Sequence, residues 1–289
     1  MSDDEIRPGH VREITAISNP VIKQMRALSM KKVRDETGQF LAEGLKLVTD
    51  ALDGDWPVHI VAYSKNAADN ARLQSVAAKA RARGAMIVEA SEKVLTAITR
   101  RDNPQMAVGV FSQRWTKREA IRPREGQLWI ALDRVRDPGN LGTIIRTADA
   151  VGASGVMIVG ESTDPFSLEA VRATMGSLFH MPLARMSEAE FLDWRKDWPG
   201  MVVGTHLEGA VDYRSVDYTP GPVLLLMGNE QQGLTDALAQ ACDRLCLIPM
   251  AGQADSLNLA VSTGIMAFEV RRSALAMPDP KAPRQGAGS

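Results

Sequence analysis

The sequence has almost no cysteine. Cys242 and Cys246 are the only two in 289 residues, and no His or further Cys lies near them to complete a zinc set, so they read as structural thiols of a reducing compartment. Long apolar runs are missing too. Nothing approaches the roughly 18 consecutive apolar residues of a membrane span, and the opening "MSDDEIRPGH" is acidic with no apolar signal core. A soluble, cytoplasmic protein without a membrane partner is expected. Net charge is nearly absent: 34 Lys and Arg against 35 Asp and Glu leave −1. Overall charge therefore points to neither nucleic acid nor membrane, and any basic surface must come from local clustering. Aromatics are scarce at 5%, whereas an apolar fraction of 45% is ordinary for a globular chain and supports a sizeable core. No internal repeat occurs. No strand is followed by a complete G-x-G-x-x-G, which disfavours a nucleotide-dependent oxidoreductase. The length makes two domains the natural prior.

What is present begins, after a polar leader, with "NPVIKQMRALSMKKVR" (19–34). It places Val21, Ile22, Met25, Leu28 and Val33 at helical spacing among Lys23, Arg26, Lys31, Lys32 and Arg34, with no acid. The spacing predicts one basic amphipathic helix, either a solvated face or an RNA-facing one. A second helix is expected over 40–54 and strands over 58–64, 85–90 and 105–112, with helices over 70–84 and 92–100 between them, a small α/β layer domain. The segment 113–127, with five basic residues, a proline and a glycine, reads as a linker, solvated or touching RNA. From Leu128 a second series begins: strands at 128–133, 155–160, 201–206, 223–228 and 244–250, with helices after the turn at 137–140, at 187–196, from 234 and over about 257–275. Continuous apolar strands separated by helices predict a parallel sheet covered on both faces. The Pro- and Gly-rich tail at 277–289 is expected to be disordered.

In such a sheet ligands bind beyond the carboxyl ends of the strands. Three loops there stand out. "RVRDPGNLG" sets a turn with Pro138 and Gly139; Asn140 is placed to cap the following helix, whose apolar run Ile144, Ile145, Ala148 is interrupted by Arg146. Arg146 is either a snorkelling surface side chain or a functional one. "GNEQQGL" offers Gly228 for close backbone approach and Glu230 at the sheet end, where the acid could equally serve the next helix N-terminus. "PMAGQADSLN" brings Ser256 and Asn258 around Leu257 into a final helix, with Ser256 a candidate N-cap.

By their order, spacing and common position after strands, the three loops resemble the three motifs of the SpoU, or TrmH-like, family of RNA ribose 2′-O-methyltransferases: Asn140 to Arg146, then "MGNEQQGL", then "IPMAGQADSLNLAVSTG". "NPVIKQMRAL", "GQFLAEGLKLV" and the alternation behind them are similar to the L30e-like substrate-binding domain that many members carry. The resemblance implies an α/β fold in which residues 1–112 form a smaller L30e-like RNA-binding domain, 113–127 a linker and 128–276 a parallel-sheet SPOUT domain with a deep trefoil knot. No periodicity could predict a knot. It also implies a homodimer and a bent S-adenosylmethionine, spent as S-adenosylhomocysteine. Gly228, Ile248 and Leu257 would form the cofactor site with Met227, Met250 and Thr205 in support. The family's catalytic set falls on Asn140, Arg146, Glu230, Ser256 and Asn258, all present.

Transfer to a 2′-hydroxyl needs an oriented hydroxyl, a route for its proton and a held phosphate, but no metal. A guanidinium stays protonated and is a poor base, so Arg146 is expected to clamp phosphate and stabilise charge growing on the 2′-oxygen. Asn140, Ser256 and Asn258 would position the ribose and loops, and Glu230 would hold loop elements or Arg146. Lys23, Arg26, Lys31, Lys32 and Arg34 are the candidate RNA contacts. The expected substrate is structured RNA, 23S ribosomal RNA ahead of transfer RNA; the alternative is a non-catalytic RNA-binding or ribosome-assembly protein.

Overall fold

A computed structural model of the chain describes residues 9–207 and 210–276; the tail expected at 277–289 lies outside them. The first unit runs β1 (Val11–Ile14), α1 (Pro20–Ala27), α2 (Lys31–Thr37), β2 (Gln39–Glu43), α3 (Leu45–Asp53), β3 (Val58–Ser64), α4 (Ala71–Ala82), β4 (Met86–Ala90), α5 (Glu92–Thr99) and β5 (Ala107–Ser112). Its sheet has the order β1-β4-β3-β5-β2. β1, β4 and β3 pair in parallel, while β5 runs antiparallel to both β3 and β2.

Two expectations change here. The helix expected over 19–34 is two helices, broken between Ala27 and Lys31, because Pro20 and the side chain of Asn19 start one while Met30 in extended conformation starts the next. The helix expected over 40–54 is a strand followed by a helix. Phe40, Leu41 and Ala42 are all buried, so the run has no polar face of the kind a surface helix shows. It pairs with β5 and lies under a helix of the second unit.

The second unit comprises β6 (Leu128–Asp133), α6 (Pro138–Ala150), β7 (Gly155–Val159), α7 (Leu168–Ala173), β8 (Leu183–Met186), α8 (Glu188–Arg195), β9 (Met201–Thr205), β10 (Val211–Asp212), β11 (Val223–Met227), α9 (Asp236–Gln240), β12 (Arg244–Leu247) and α10 (Leu259–Val270). Every pairing in its sheet, ordered β10-β12-β9-β11-β6-β7-β8, is parallel. Every residue of β6, β7 and β11 is buried, as the uninterrupted apolar runs require of strands covered on both faces. The chain leaves β6 toward β7 and later returns on the other side through β9, β11 and β12. The order thus reverses between β6 and β11, which opens a crevice beyond their carboxyl ends.

One hydrophobic core runs through both units. At the seam the scarce aromatics concentrate: Phe40, Trp56, Phe111, Trp115, Phe166 and Phe179 contact one another, with Phe40 and Phe166 centroids 4.8 Å apart and Trp56 edge-on to Phe179 at 5.3 Å. The Trp56 indole also donates to the Phe179 carbonyl at 3.1 Å. The segment after β5 lies along this seam, where Thr116 N–H bonds to the Leu183 carbonyl on the edge strand β8 and Arg114 lies over the Trp56 ring.

A candidate methyl-transfer site at the ends of β6, β11 and β12

The crevice is built from the loop after β6 outward. Asp133, the buried last residue of β6, forms an ion pair with its neighbour Arg134 at 2.8 Å. That bond holds the guanidinium pKa above its usual value. Arg134, in the left-handed region at φ 47°, also donates to Gln232 Oε1 at 2.9 Å, and its carbonyl accepts from Asn229 Nδ2 at 2.8 Å. Asn229 pairs with Gly233 to close the loop after β11 into a tight turn, so the two loops are cross-tied. Gly228 begins that turn. A β-carbon there would stand 2.4 Å from the backbone of Gly233 and Leu234, so only glycine fits.

Asp137, not Asn140, caps α6, since its side chain accepts from Asn140 N–H. Asn258, not Ser256, caps α10, accepting from Ala260 and Val261 N–H with Oδ1. The reason is the same in both: the helix starts where the side-chain oxygen can reach the second or third amide beyond it, and the backbone turns helical only after these residues. With its oxygen committed, Asn258 presents Nδ2, which donates to Asn140 Oδ1 at 2.9 Å. Asn140 Nδ2 therefore faces Glu230 Oε1, at 3.4 Å. Glu230 Oε2 is buried and has no hydrogen-bond partner among the described residues.

Three of the five expected catalytic side chains, Asn140, Glu230 and Asn258, are thus joined in one polar chain linking all three loops. Arg146 and Ser256 are exposed and make no hydrogen bond with them. α6 buries Leu141, Ile144, Ile145 and Ala148, which turns Arg146 outward about 9 Å along the axis from Asn140. Its guanidinium has no hydrogen bond or ion pair among the described residues. Glu230 holds Asn140 rather than Arg146.

The expected cofactor residues gather at neighbouring strand ends. Thr205 Oγ1 lies 3.8 Å from the Met227 sulfur, and Met227 is buried beside Gly228. Ile248 is half-buried, while Met250 and Leu257 are exposed on the loop between β12 and α10.

Of the candidate RNA contacts, Lys23, Arg26, Lys31 and Lys32 are exposed, the last two paired at i,i+4 with Asp35 and Glu36. Arg34 is a correction. Its side chain is 4% exposed and spent on Asp164 Oδ2 at 2.7 Å and the Leu28 carbonyl at 2.8 Å, since a buried guanidinium must find partners.

Residues 127–268 match the SpoU rRNA Methylase family, and residues 19–109 the MRM3-like substrate binding domain. A 23S rRNA (uridine(2479)-2'-O)-methyltransferase of Streptomyces viridochromogenes is 34% identical over 271 residues, 90% of this chain and 92% of that protein. The chain belongs to the SpoU rRNA methylase family. The 23S rRNA (guanosine(2553)-2'-O)-methyltransferase RlmP of Bacillus subtilis is 31% identical, over 90% of this chain and 100% of its own length. A crystal structure of an AdoMet-bound rRNA methyltransferase from Sinorhizobium meliloti superposes with a TM-score of 0.88 at 57% identity, covering 93% of this chain and 100% of that one.

In this SpoU methylase the sequence reading missed Asp133, Arg134 and Asn229, the residues that bind the first two loops together. A signal existed: an acid closing an otherwise apolar strand must be paired when buried, and the next residue is the arginine that pairs it. Among the described residues no helix is long and apolar enough to cross a membrane.

Proposed function

We propose that the chain transfers a methyl group from S-adenosylmethionine to a ribose 2′-hydroxyl of 23S ribosomal RNA, as a cytoplasmic homodimer. The observation that carries this is the junction of three loops at Asn140, with Glu230 and Asn258 on either side of it. The residues present suit the cofactor: a glycine with no room for a side chain at the end of β11, and apolar Ile248, Met250 and Leu257 that a planar base would cover. When bound, S-adenosylmethionine supplies a methyl group made electrophilic by its sulfonium charge. Met227, Gly228, Ile248 and Leu257 would hold it, with Thr205 and Met250 at the margin.

The chain's own residues orient and hold. Asn140, locked by its two neighbours, presents a fixed amide to the ribose. Glu230, bonded to Asn140 Nδ2, holds that amide in place. Arg146, exposed and unpaired, is free to take a phosphate and stabilise charge on the 2′-oxygen. It does not take the proton, which leaves to phosphate, water or another group. Ser256 contacts the ribose or the loop backbone. Residues 1–112 grip the RNA through Lys23, Arg26, Lys31 and Lys32, residues 128–276 carry the transfer site, and 113–127 joins them. The return of the chain from β12 across the sheet to pack α10 on α6 is the path along which the trefoil knot would be tied.

Calorimetry with S-adenosylmethionine and mapping of 2′-O-methyl groups in ribosomal RNA treated with the purified protein test the reading. Methylation of one ribose is expected, and Arg146→Ala is expected to lower turnover roughly 100-fold or more while cofactor binding stays. A wild-type protein that binds RNA without methylating it supports the assembly-factor reading, and methylated transfer RNA the other enzyme reading.

A further inference from the structure

We propose that Arg34 and Asp164 are a positioning pair that fixes the RNA-gripping surface of the first unit to the loop leading into the helix that bears Asn140, an inference that rests on the methyl-transfer reading above. The pair joins residues 130 apart in sequence and is almost sealed from water, the side chains being 4% and 8% exposed. Arg34 sits in α2 behind Lys31 and Lys32, and its second bond, to the Leu28 carbonyl, gathers in the end of α1, which carries Lys23 and Arg26. One guanidinium therefore holds both helices of the basic segment.

On the other side, Asp164 belongs to the loop after β7 and is itself fixed, its Oδ1 accepting from Phe166 N–H at 2.8 Å and its carbonyl from Ser167 N–H at 3.0 Å. The adjoining Thr163 N–H donates to the Val135 carbonyl at 2.7 Å. Val135 lies in the loop after β6, between Arg134, which ties that loop to the one after β11, and Asp137, which caps the helix bearing Asn140. A continuous path of hydrogen bonds and chain neighbours thus runs from the basic helices to the transfer site, and Arg34–Asp164 is its crossing point between the units.

Adhesion alone does not call for an ion pair there. The centre of the seam is aromatic, and buried ion pairs add little net stability over well-packed apolar residues of similar volume. What a charged, hydrogen-bonded pair supplies that an apolar contact cannot is one fixed direction and register. A second pair flanks the seam in the opposite sense: Arg172 of α7 bonds Glu43 at the end of β2 and the Thr99 carbonyl at 2.9 Å. The two together resist both sliding and rotation of one unit on the other.

The test uses full-length wild type, Asp164→Asn, which keeps the shape and an acceptor, and the double variant Arg34→Met with Asp164→Leu, which removes both charges and keeps the seam filled. In the variants, amide exchange is expected to quicken about tenfold over 134–140 and 160–166 while β6 and β11 stay protected. KM for RNA is expected to rise roughly fivefold or more. S-adenosylmethionine affinity and turnover at saturating RNA should hold, and so should the salt slope of RNA binding, because no phosphate contact is lost. Unchanged exchange over 134–140, or an unchanged KM for RNA, overturns the proposal, as does a salt slope smaller by about one, which would make Arg34 a phosphate contact after all. A wild type that does not methylate RNA counts against the proposed function, and the exchange measurement still decides the role of the pair.

Discussion

Asn258 has two duties that substitution can separate. Its Oδ1 caps α10 and its Nδ2 holds Asn140. Asn258→Ala should lose both, at a cost of about 1 kcal/mol in stability from the cap. Asn258→Ser should keep the melting temperature, because a serine hydroxyl also caps, yet share the loss of methylation, because it cannot reach Asn140 with an amide. Equal activity of the serine variant and wild type would remove Asn258 from the transfer site. The thiols give a second prediction at this scale. Burial pushes Cys242 up to about 12 and also raises Cys246, so both remain protonated at pH 8 and should resist a thiol reagent until the protein is unfolded. A raised folded pKa means that the unfolded chain releases its thiol protons first, so stability should fall as pH climbs above about 8.5, not before. Melting temperature against pH checks the sign. Arg34 shows what single residues conceal. Its spacing resembles that of the four solvent-facing cations around it, and nothing local marks it as the one that turns inward, because its partner is Asp164, far along the chain.

α6 reaches its place because Gly142 lets α7 come close. An added methyl there would stand 2.5 Å from the Ala170 carbonyl and from the Ala173 side chain, so Gly142→Ala should cost about 1–3 kcal/mol by overpacking. It should also shift the start of α6, so the loss of methylation should exceed the fraction unfolded by a melt; loss in proportion to unfolding would refute the shift. Elements of this kind were legible in the sequence where burial is complete. β6, β7 and β11 show as unbroken apolar runs bounded by turns, and the three loops that follow β6, β11 and β12 show by their turn residues. Elements at the margins were not. β1, of which only Ile14 is buried, and the two-residue β10 have little apolar pattern of their own and exist through their neighbours, while the four residues of β8 are too few to show a period. β2 reads as helix in the sequence because its short apolar run, Phe40 to Ala42, fits either period. The site was legible as a set of residues but not as a network: which oxygen caps, and which amide is left to bridge, depends on helix starts that differ by two or three residues from those the sequence suggests.

At the scale of the whole molecule, α10 carries an exposed apolar face. Val261 and Phe268, seven residues apart and so on one face, are 51% and 49% exposed, while the opposite face, with Ala260, Thr263, Met266, Ala267 and Val270, is buried on the core. Large apolar side chains aligned on an otherwise polar exterior are what a self-complementary contact uses, and a two-fold contact would bury each of them twice. Its position matters for chemistry. α10 packs on α6, and at Gly264, between Val261 and Phe268, an added methyl would lie 3.7 Å from Thr147, the neighbour of Arg146. A contact made through this face therefore borders the turn of α6 that presents Arg146. The double variant Val261→Asp with Phe268→Glu should keep its fold, since both side chains are half outside the core, and should sediment as a monomer where the wild type sediments as a dimer. Because the dimer would steady the surroundings of Arg146, methylation should fall with dimer content across a dilution series of the wild type and be weak at every concentration of the variant. A monomeric wild type would refute the dimer, and a variant that still dimerises would place the interface elsewhere; a variant that is monomeric and fully active would separate the dimer from the transfer site.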